Sequence, residues 1–350
     1  MMATAGPVVV LGGSGFVGRH LVAKLASDGR RVVVPTRRRG DARHLILLPT
    51  VDVVEADIHD PTALARLARN AFAIVNLVGI LHERASDTFA RVHVELASKI
   101  VTACRVANVT RLVHMSAQNA DADAPSRYLR SKAEGEAIVR GSGLAWTVFR
   151  PSIVFGPGDT FLNLFAALEK RLPVIALASP QARFQPISVA DVAHCFAHAI
   201  DDDATVGHAY GLCGPTVYTL REIVDYVGRT TGHARPVVPL GPGLSKVVAR
   251  TLELLPGHIM TRDNLASMER DSVCEGRFRR SSALRRPHSN RLRPRIFRRR
   301  PCIANTIRCA PTAAADGMGL PVAAMATDTA DSTCSTGFGA SAKLDALHHE

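Results

Sequence analysis

The stretch VVVLGGSGFVGRHLV, residues 8–22, runs from an unbroken apolar segment through a glycine turn into apolar residues at helical spacing. Gly12, Gly15 and Gly18 form a G-x-x-G-x-x-G pattern between a strand and a helix. One glycine makes the tight turn, the next lets the backbone approach a pyrophosphate, and the third lets helix and strand pack closely. The helix N-terminus then faces negative charge. A glycine triplet alone is a weak signal. Strand–loop–helix context at the head of a βα series makes it a dinucleotide-binding signal.

That series is present. RRVVVPTRR (30–38), VDVVEADIHD (51–60), FAIVNLVGI (72–80), VTRLVHMSA (109–117) and LAWTVFRPSIVFGPGD (144–159) read as strands. The helical patterns PTALARLARN (61–70), 83–108 and RYLRSKAEGEAIVRGSG (127–143) fall between them. Such alternation predicts an α/β fold, a Rossmann-type doubly wound parallel sheet, over residues 1–155. The near-continuous apolar strands agree with burial on both faces. Past residue 155 the rhythm loosens into helices at 160–172, 189–202, 219–232 and 244–255 with short strands between. Residues 156–275 are expected to form a smaller mixed α/β lobe, interleaved with the first domain, that selects a substrate or partner.

The end of the second strand discriminates between nicotinamide cofactors. An acid there would hold a ribose 2′-hydroxyl. This chain has Arg37, Arg38 and Arg39 instead, and guanidinium groups suit a 2′-phosphate. NADP(H) is therefore expected, with NAD(H) as the alternative. Asp57 is placed to accept from an adenine amino group, and Asp60 to cap the following helix.

Composition narrows the class. The chain has 350 residues, 47% hydrophobic, and no apolar run near the roughly 20 residues a bilayer requires. MMATAGPVVVLGG lacks a basic n-region and turns directly into a strand, so neither a signal nor a transit peptide is expected. Seven irregularly spaced cysteines suggest free thiols and a cytoplasmic location. Of the net charge of +12, residues 277–350 carry +8, from twelve Arg and one Lys against five acids; residues 1–276 carry only +4. No specific nucleic-acid partner is expected of the folded part. His194 and His198 are four apart but lack a third ligand, so no metal site is expected. Cys104, Cys195 and Trp146 read as packing residues.

LGGSGFVGRHLV, NLVGI, RLVHMSA, YLRSK and FRPSIVFGPGD occur in the order found in extended and atypical short-chain dehydrogenase/reductases. The segments 126–163 and ARFQPISVADVA (182–193) most resemble a narrower group. It contains the NAD(P)H-binding accessory subunit of respiratory complex I and bacterial NAD-dependent epimerase/dehydratase-like proteins. The resemblance spans about residues 7–275. It implies a tightly bound NADP(H) and a role that in this branch is structural rather than catalytic. It places Gly12, Ser14, Gly15, Phe16, Val17 and Gly18 on the pyrophosphate, Arg37 and Arg38 at the 2′-phosphate and Asp57 at the adenine. Leu77, Val78 and Gly79 pass under the cofactor, and Pro151, Ser152, Ile153 and Val154 flank the nicotinamide. Ser116, Tyr128 and Lys132 become the catalytic group.

Tyr128 and Lys132 share one helical face, and a lysine cation beside a tyrosine favours the phenolate. Ser116 would hydrogen-bond a substrate oxygen. The pattern departs from the extended enzymes in two places: only 12 residues separate Ser116 from Tyr128, and His93 stands where asparagine is usual. The expected function is an NADP(H)-binding protein, similar to a complex I accessory subunit, that supports a membrane-associated respiratory or biosynthetic complex with weak or no turnover. Its location would be cytoplasmic or peripheral at the inner membrane face. The alternative is a soluble NADP-dependent reductase, epimerase or dehydratase acting on a nucleotide sugar, isoprenoid or quinone-related substrate. Phe161, Asn163, Arg183 and Gln185 are candidate wall residues.

Residues 277–300 hold eleven Arg and no Lys or acid, followed by a segment without helical or strand period. Residues 276–350 are expected to be disordered and inactive. The composition also suits GC-rich DNA translated out of frame. A permitted codon choice for Gly276 to Asn290, read from the third base of the glycine codon, gives PFPAVFGATPTALE. That string resembles the family's usual ending.

Overall fold

A computed structural model describes residues 6–84, 86–253 and 260–274. All of them belong to the unit Met1–Arg299. The tail expected to be disordered or out of frame lies outside the described residues.

Strands β1 (Val8–Leu11), β2 (Val32–Thr36), β3 (Val51–Glu55), β4 (Ala73–Asn76), β5 (Arg111–Met115) and β6 (Ala145–Pro151) alternate with helices. The helices are α1 (Phe16–Ser27), α2 (Pro61–Ala68), α3 (Leu96–Val106) and α4 (Arg127–Arg140). A π-helical turn, Ala90–Glu95, leads into α3. After it come β7 (Val154–Phe155), α5 (Phe161–Arg171), β8 (Ile175–Leu177), β9 (Arg183–Phe184), β10 (Ile187–Ser188) and α6 (Val189–Asp201). The remaining elements are β11 (His208–Leu212), β12 (Tyr218–Thr219), α7 (Leu220–Thr231), β13 (Val237–Pro239), α8 (Pro242–Glu253) and α9 (Arg262–Ser267).

Seven strands form one sheet in the order β11-β6-β5-β4-β1-β2-β3. Every pairing in it is parallel. The chain runs outward from β1 to one edge and then returns past it to the other. Side chains alternate across the sheet. Val8 and Val10 pack with Leu21, Leu25 and Phe196 of α1 and α6. Val9 and Leu11 pack with Leu64, Ile100 and Val139 of α2, α3 and α4 on the opposite face. Burial on both sides explains why strands as short as VVVL carry no polar residue. A third cluster, including Phe155, Phe165, Ile175, Phe184 and Val224, packs α5 and α7 against β8 and β9.

Several local expectations change. The third strand ends at Glu55, two residues before Asp57, whereas Asp60 caps α2 as expected, accepting from Thr62 N at 2.9 Å. The helix expected from residue 83 begins near Phe89. Trp146 is only half-buried, with the Arg140 guanidinium 5.7 Å from its ring. The free-thiol expectation fails for one pair: Cys213 and Cys274, 61 residues apart, form a disulfide. Spacing in sequence does not reveal that partnership, because the fold alone brings residue 274 beside the end of β11. Cys104 and Cys195 are free, and burial pushes both thiols up to about 12.

Candidate functional site

The sequence-predicted residues lie at or beyond the carboxyl ends of β1, β2, β3, β4, β5 and β6 or on the helix that follows β5, at the end of the sheet where open α/β folds bind ligands. The turn from β1 into α1 holds Gly12, Ser14, Gly15, Phe16, Val17 and Gly18. Gly12 has φ +78°, a conformation costly for other residues. A Cβ at Gly12 would also press on Leu77 at 3.2 Å. At Gly18 a Cβ would fall 2.1 Å from the Gly12 carbonyl and 2.6 Å from Gly13 Cα. Helix α1 therefore starts directly against the loop. Its N-cap, Gly15, supplies no side-chain cap, and its first turn has no acid. First-turn N–H groups lack intrahelical acceptors, so this end suits an anion.

Arg37 and Arg38 follow β2. Arg37 is exposed and makes a 3.5 Å ion pair with Asp87, while Arg38 is exposed. Asp57 is exposed and spends Oδ1 on His59 N at 2.9 Å. Leu77 is buried beneath the glycine turn, Val78 half-buried and Gly79 exposed. Asn76 Oδ1 accepts from Val78 N at 3.1 Å and fixes that crossover. Pro151, Ile153 and Val154 are half-buried beyond β6. Ser152 instead turns inward: its hydroxyl donates to the Ser272 carbonyl at 2.7 Å and accepts from Gln185 N at 3.3 Å.

Ser126 caps α4 by accepting from Leu129 N at 3.2 Å. The helix carries Tyr128 and Lys132 toward the ends of β4 and β5. Lys132 is buried beside Gly79, and its ammonium donates to the Met115 carbonyl at 3.0 Å. Burial lowers Lys132 to about 8. Ser116, the next residue, is buried, and its hydroxyl has no partner among the described residues. The Tyr128 ring lies 6.0 Å from Phe89 and 5.7 Å from His93. Burial raises its phenol to about 12. The expectation that Lys132 would lower this value is not met. Withdrawal from water dominates, and the ammonium is engaged by a carbonyl.

His93, expected from the resemblance to stand at an asparagine position, is held on both ring nitrogens. Its Nε2 accepts from Ile80 N at 3.1 Å. Its Nδ1 lies 2.8 Å from Ser131 Oγ, whose proton goes to the Tyr128 carbonyl at 2.8 Å. The ring is thus neutral with the proton on Nδ1. Burial first, then the Lys132 charge, lower its pKa to about 2. His114, buried on β5, lies 3.1 Å from Asn76 Nδ2 through Nδ1. Burial, with Lys132, brings it down to about 3. Two neutral imidazoles therefore support the strand ends. Sequence reading passed over Ser131 and Asn76, because their partners lie 38 residues away.

The wall candidates are engaged internally. Arg183 pairs with Asp271 at 2.7 Å, Gln185 Nε2 donates to the Gly214 carbonyl at 2.6 Å, and Asn163 donates to the Asp159 carbonyl at 2.8 Å. Phe161 packs against Phe165 and Phe184. His194 and His198 stack at 6.5 Å, and no group of three metal-ligating side chains occurs among the described residues.

Residues 8–213 match the family model described as NAD dependent epimerase/dehydratase family. The chain is 30% identical over 270 residues to the Neurospora crassa NADH-ubiquinone oxidoreductase 40 kDa subunit, mitochondrial, covering 76% of this chain and 71% of that protein. It is 37% identical over 190 residues to the Caulobacter vibrioides ceramide reductase, covering 54% and 59%. The solved structure of MoeE5 in complex with UDP-glucose and NAD shares the fold, with a TM-score of 0.57 at 22% identity over 67% of this chain and 85% of that one. With the glycine turn, the parallel sheet and the match over most of the sheet-forming sequence in agreement, the chain belongs to the NAD dependent epimerase/dehydratase family.

Proposed function

We propose that this protein holds a nicotinamide dinucleotide, NADP(H) in preference to NAD(H), and supports a membrane-associated respiratory assembly with weak or no turnover. The observation that carries the reading is the glycine cradle, where side chains at Gly12 and Gly18 would collide with backbone and α1 begins uncapped. Gly12 to Gly18 would hold the pyrophosphate, and Leu77 to Gly79 would lie beneath the dinucleotide. Arg37 and Arg38, with no acid at the end of β2, favour a 2′-phosphate; Arg37 would exchange its weak pairing with Asp87 for it. When bound, the nicotinamide supplies hydride-transfer chemistry.

Weak turnover is supported by the pair on α4. There the Lys132 ammonium is engaged by the Met115 carbonyl at 3.0 Å. The role in an assembly rests on the Neurospora crassa relative, which is by name a subunit of NADH-ubiquinone oxidoreductase. No described helix is long and apolar enough to cross a membrane. Mass spectrometry of nucleotide released from gently purified full-length protein is expected to find NADP(H). Calorimetric titration with NADPH and NADH that gives no saturation with either would defeat the proposal.

The second reading is a soluble reductase, epimerase or dehydratase, and Ser116 favours it. Its buried hydroxyl has no partner among the described residues, as a group awaiting a substrate oxygen would. The Caulobacter vibrioides relative is by name a reductase. Tyr128, protonated near neutral pH, would then act as proton donor. Substrate-dependent NADPH oxidation that Tyr128→Phe abolishes, with NADPH binding retained, would establish this reading over the first.

A further inference from the structure

Helix α4 begins in an unusual way. The Ser126 hydroxyl accepts from Leu129 N. The preceding amides, Arg127 N and Tyr128 N, donate to the two carboxylate oxygens of Asp263, at 2.7 and 3.0 Å. Asp263 is 136 and 135 residues away in sequence. Charge-assisted bonds of this kind are about twice as strong as neutral ones, and a carboxylate also complements the helix dipole. Helix α9, which carries Asp263, is itself closed by a reciprocal Thr261–Asn264 capping box.

The chain that follows α9 grips the rest of the site. Asn119 Nδ2 donates to the Asp271 carbonyl at 2.8 Å, and Gln118 Nε2 to the Val273 carbonyl at 3.1 Å; both side chains lie on the loop after Ser116. Ser152, beside the expected nicotinamide position, donates to the Ser272 carbonyl at 2.7 Å. Arg183 takes the Asp271 carboxylate, and Gln185 Oε1 accepts from Cys274 N at 3.1 Å. The disulfide to Cys213 anchors the far end beside β11. One segment, 261–274, thereby holds the three pieces that carry Ser116, Tyr128 and Ser152.

We infer that Asp263 is a positioning residue: its carboxylate sets the first turn of α4, and through it the placement of Tyr128 and Lys132 against the nicotinamide half of the dinucleotide. The inference rests on the proposed dinucleotide site. The Asp263 carboxylate accepts from the backbone amides of Arg127 and Tyr128 in α4, so its effect reaches the ligand through Tyr128 and Lys132 and not through the glycine cradle of α1.

The test uses full-length protein and two probes, NADPH and adenosine 2′,5′-bisphosphate, the second lacking the nicotinamide half. In Asp263→Ala, NADPH affinity is expected to fall about tenfold with the bisphosphate affinity unchanged. Amide exchange at residues 127–130 should accelerate, while exchange in α1 stays as in the parent. Should Asp263→Ala fail to fold, Asp263→Asn serves, since its amide accepts one of the two N–H groups; a threefold or greater loss for NADPH alone supports the inference. Equal losses for both probes, or none for either, overturn it and show a stabilising segment only. If the parent protein binds neither probe, the dinucleotide reading itself has failed. If it binds both and the variants bind like the parent, only the role of Asp263 has failed.

Discussion

Replacing Glu169 by glutamine should remove a pH-dependent loss of stability that the parent protein carries. Glu169 lies in α5, fully buried, and neither carboxylate oxygen has a partner among the described residues. Helix α7 presses on it so closely that a Cβ at Gly228 would come within 2.5 Å of Oε1. Arg235 spends its Nε on the Glu169 backbone carbonyl, at 3.0 Å, and leaves the carboxylate alone. Burial first, and the nearby Asp225 second, raise the acid from 4.5 to about 7 against a smaller opposing effect of Arg235. The folded protein therefore keeps this proton up to about 7, while the unfolded chain releases it near 4.5. Between those values the native state binds more protons, so stability is fully present below 4.5 and falls as pH rises through about 7. At about 1.4 kcal/mol per pH unit the loss amounts to about 3 kcal/mol. Urea unfolding at pH 5 and pH 8, followed by circular dichroism and Trp146 fluorescence, measures it. The parent should lose about 2–3 kcal/mol more than Glu169→Gln across that interval. Parallel stability–pH profiles for the two proteins would refute the reasoning.

Three further outcomes are expected. Gly18→Ala drives a methyl into the Gly12 carbonyl; it should cost about 1–3 kcal/mol in urea unfolding and weaken NADPH at least tenfold in calorimetry. Arg37→Glu leaves an acid at the end of β2 and should shift the NADPH/NADH affinity ratio toward NADH by tenfold or more, read by the same titration. His93→Phe deprives Ile80 N of its acceptor and Ser131 of its donor; a loss of about 1–3 kcal/mol is expected by chemical denaturation, and an unchanged midpoint would contradict the imidazole's supporting role.

The glycine turn, the βα alternation and the Tyr128–Lys132 face were legible in the amino-acid sequence because each is a local pattern. Strand–turn–helix geometry is written within fifteen residues, and period 2 or 3.6 shows through any window of similar length. What stayed hidden depends on distance along the chain. His93 and Ser131 meet across 38 residues, Cys213 and Cys274 across 61, and Asp263 reaches Tyr128 across 135. No local rule encodes those partners, since only the closed fold brings them within hydrogen-bond reach. The direction of the Tyr128 shift belongs to the same class. Sequence places a lysine one turn away and suggests a lowered phenol, whereas burial, a property of the assembled site, wins and raises it to about 12. Sequence alone therefore determined the sheet, the cradle and the chemical groups available. The tertiary structure decided which of those groups are neutral, which are already engaged, and which distant segment holds them in place.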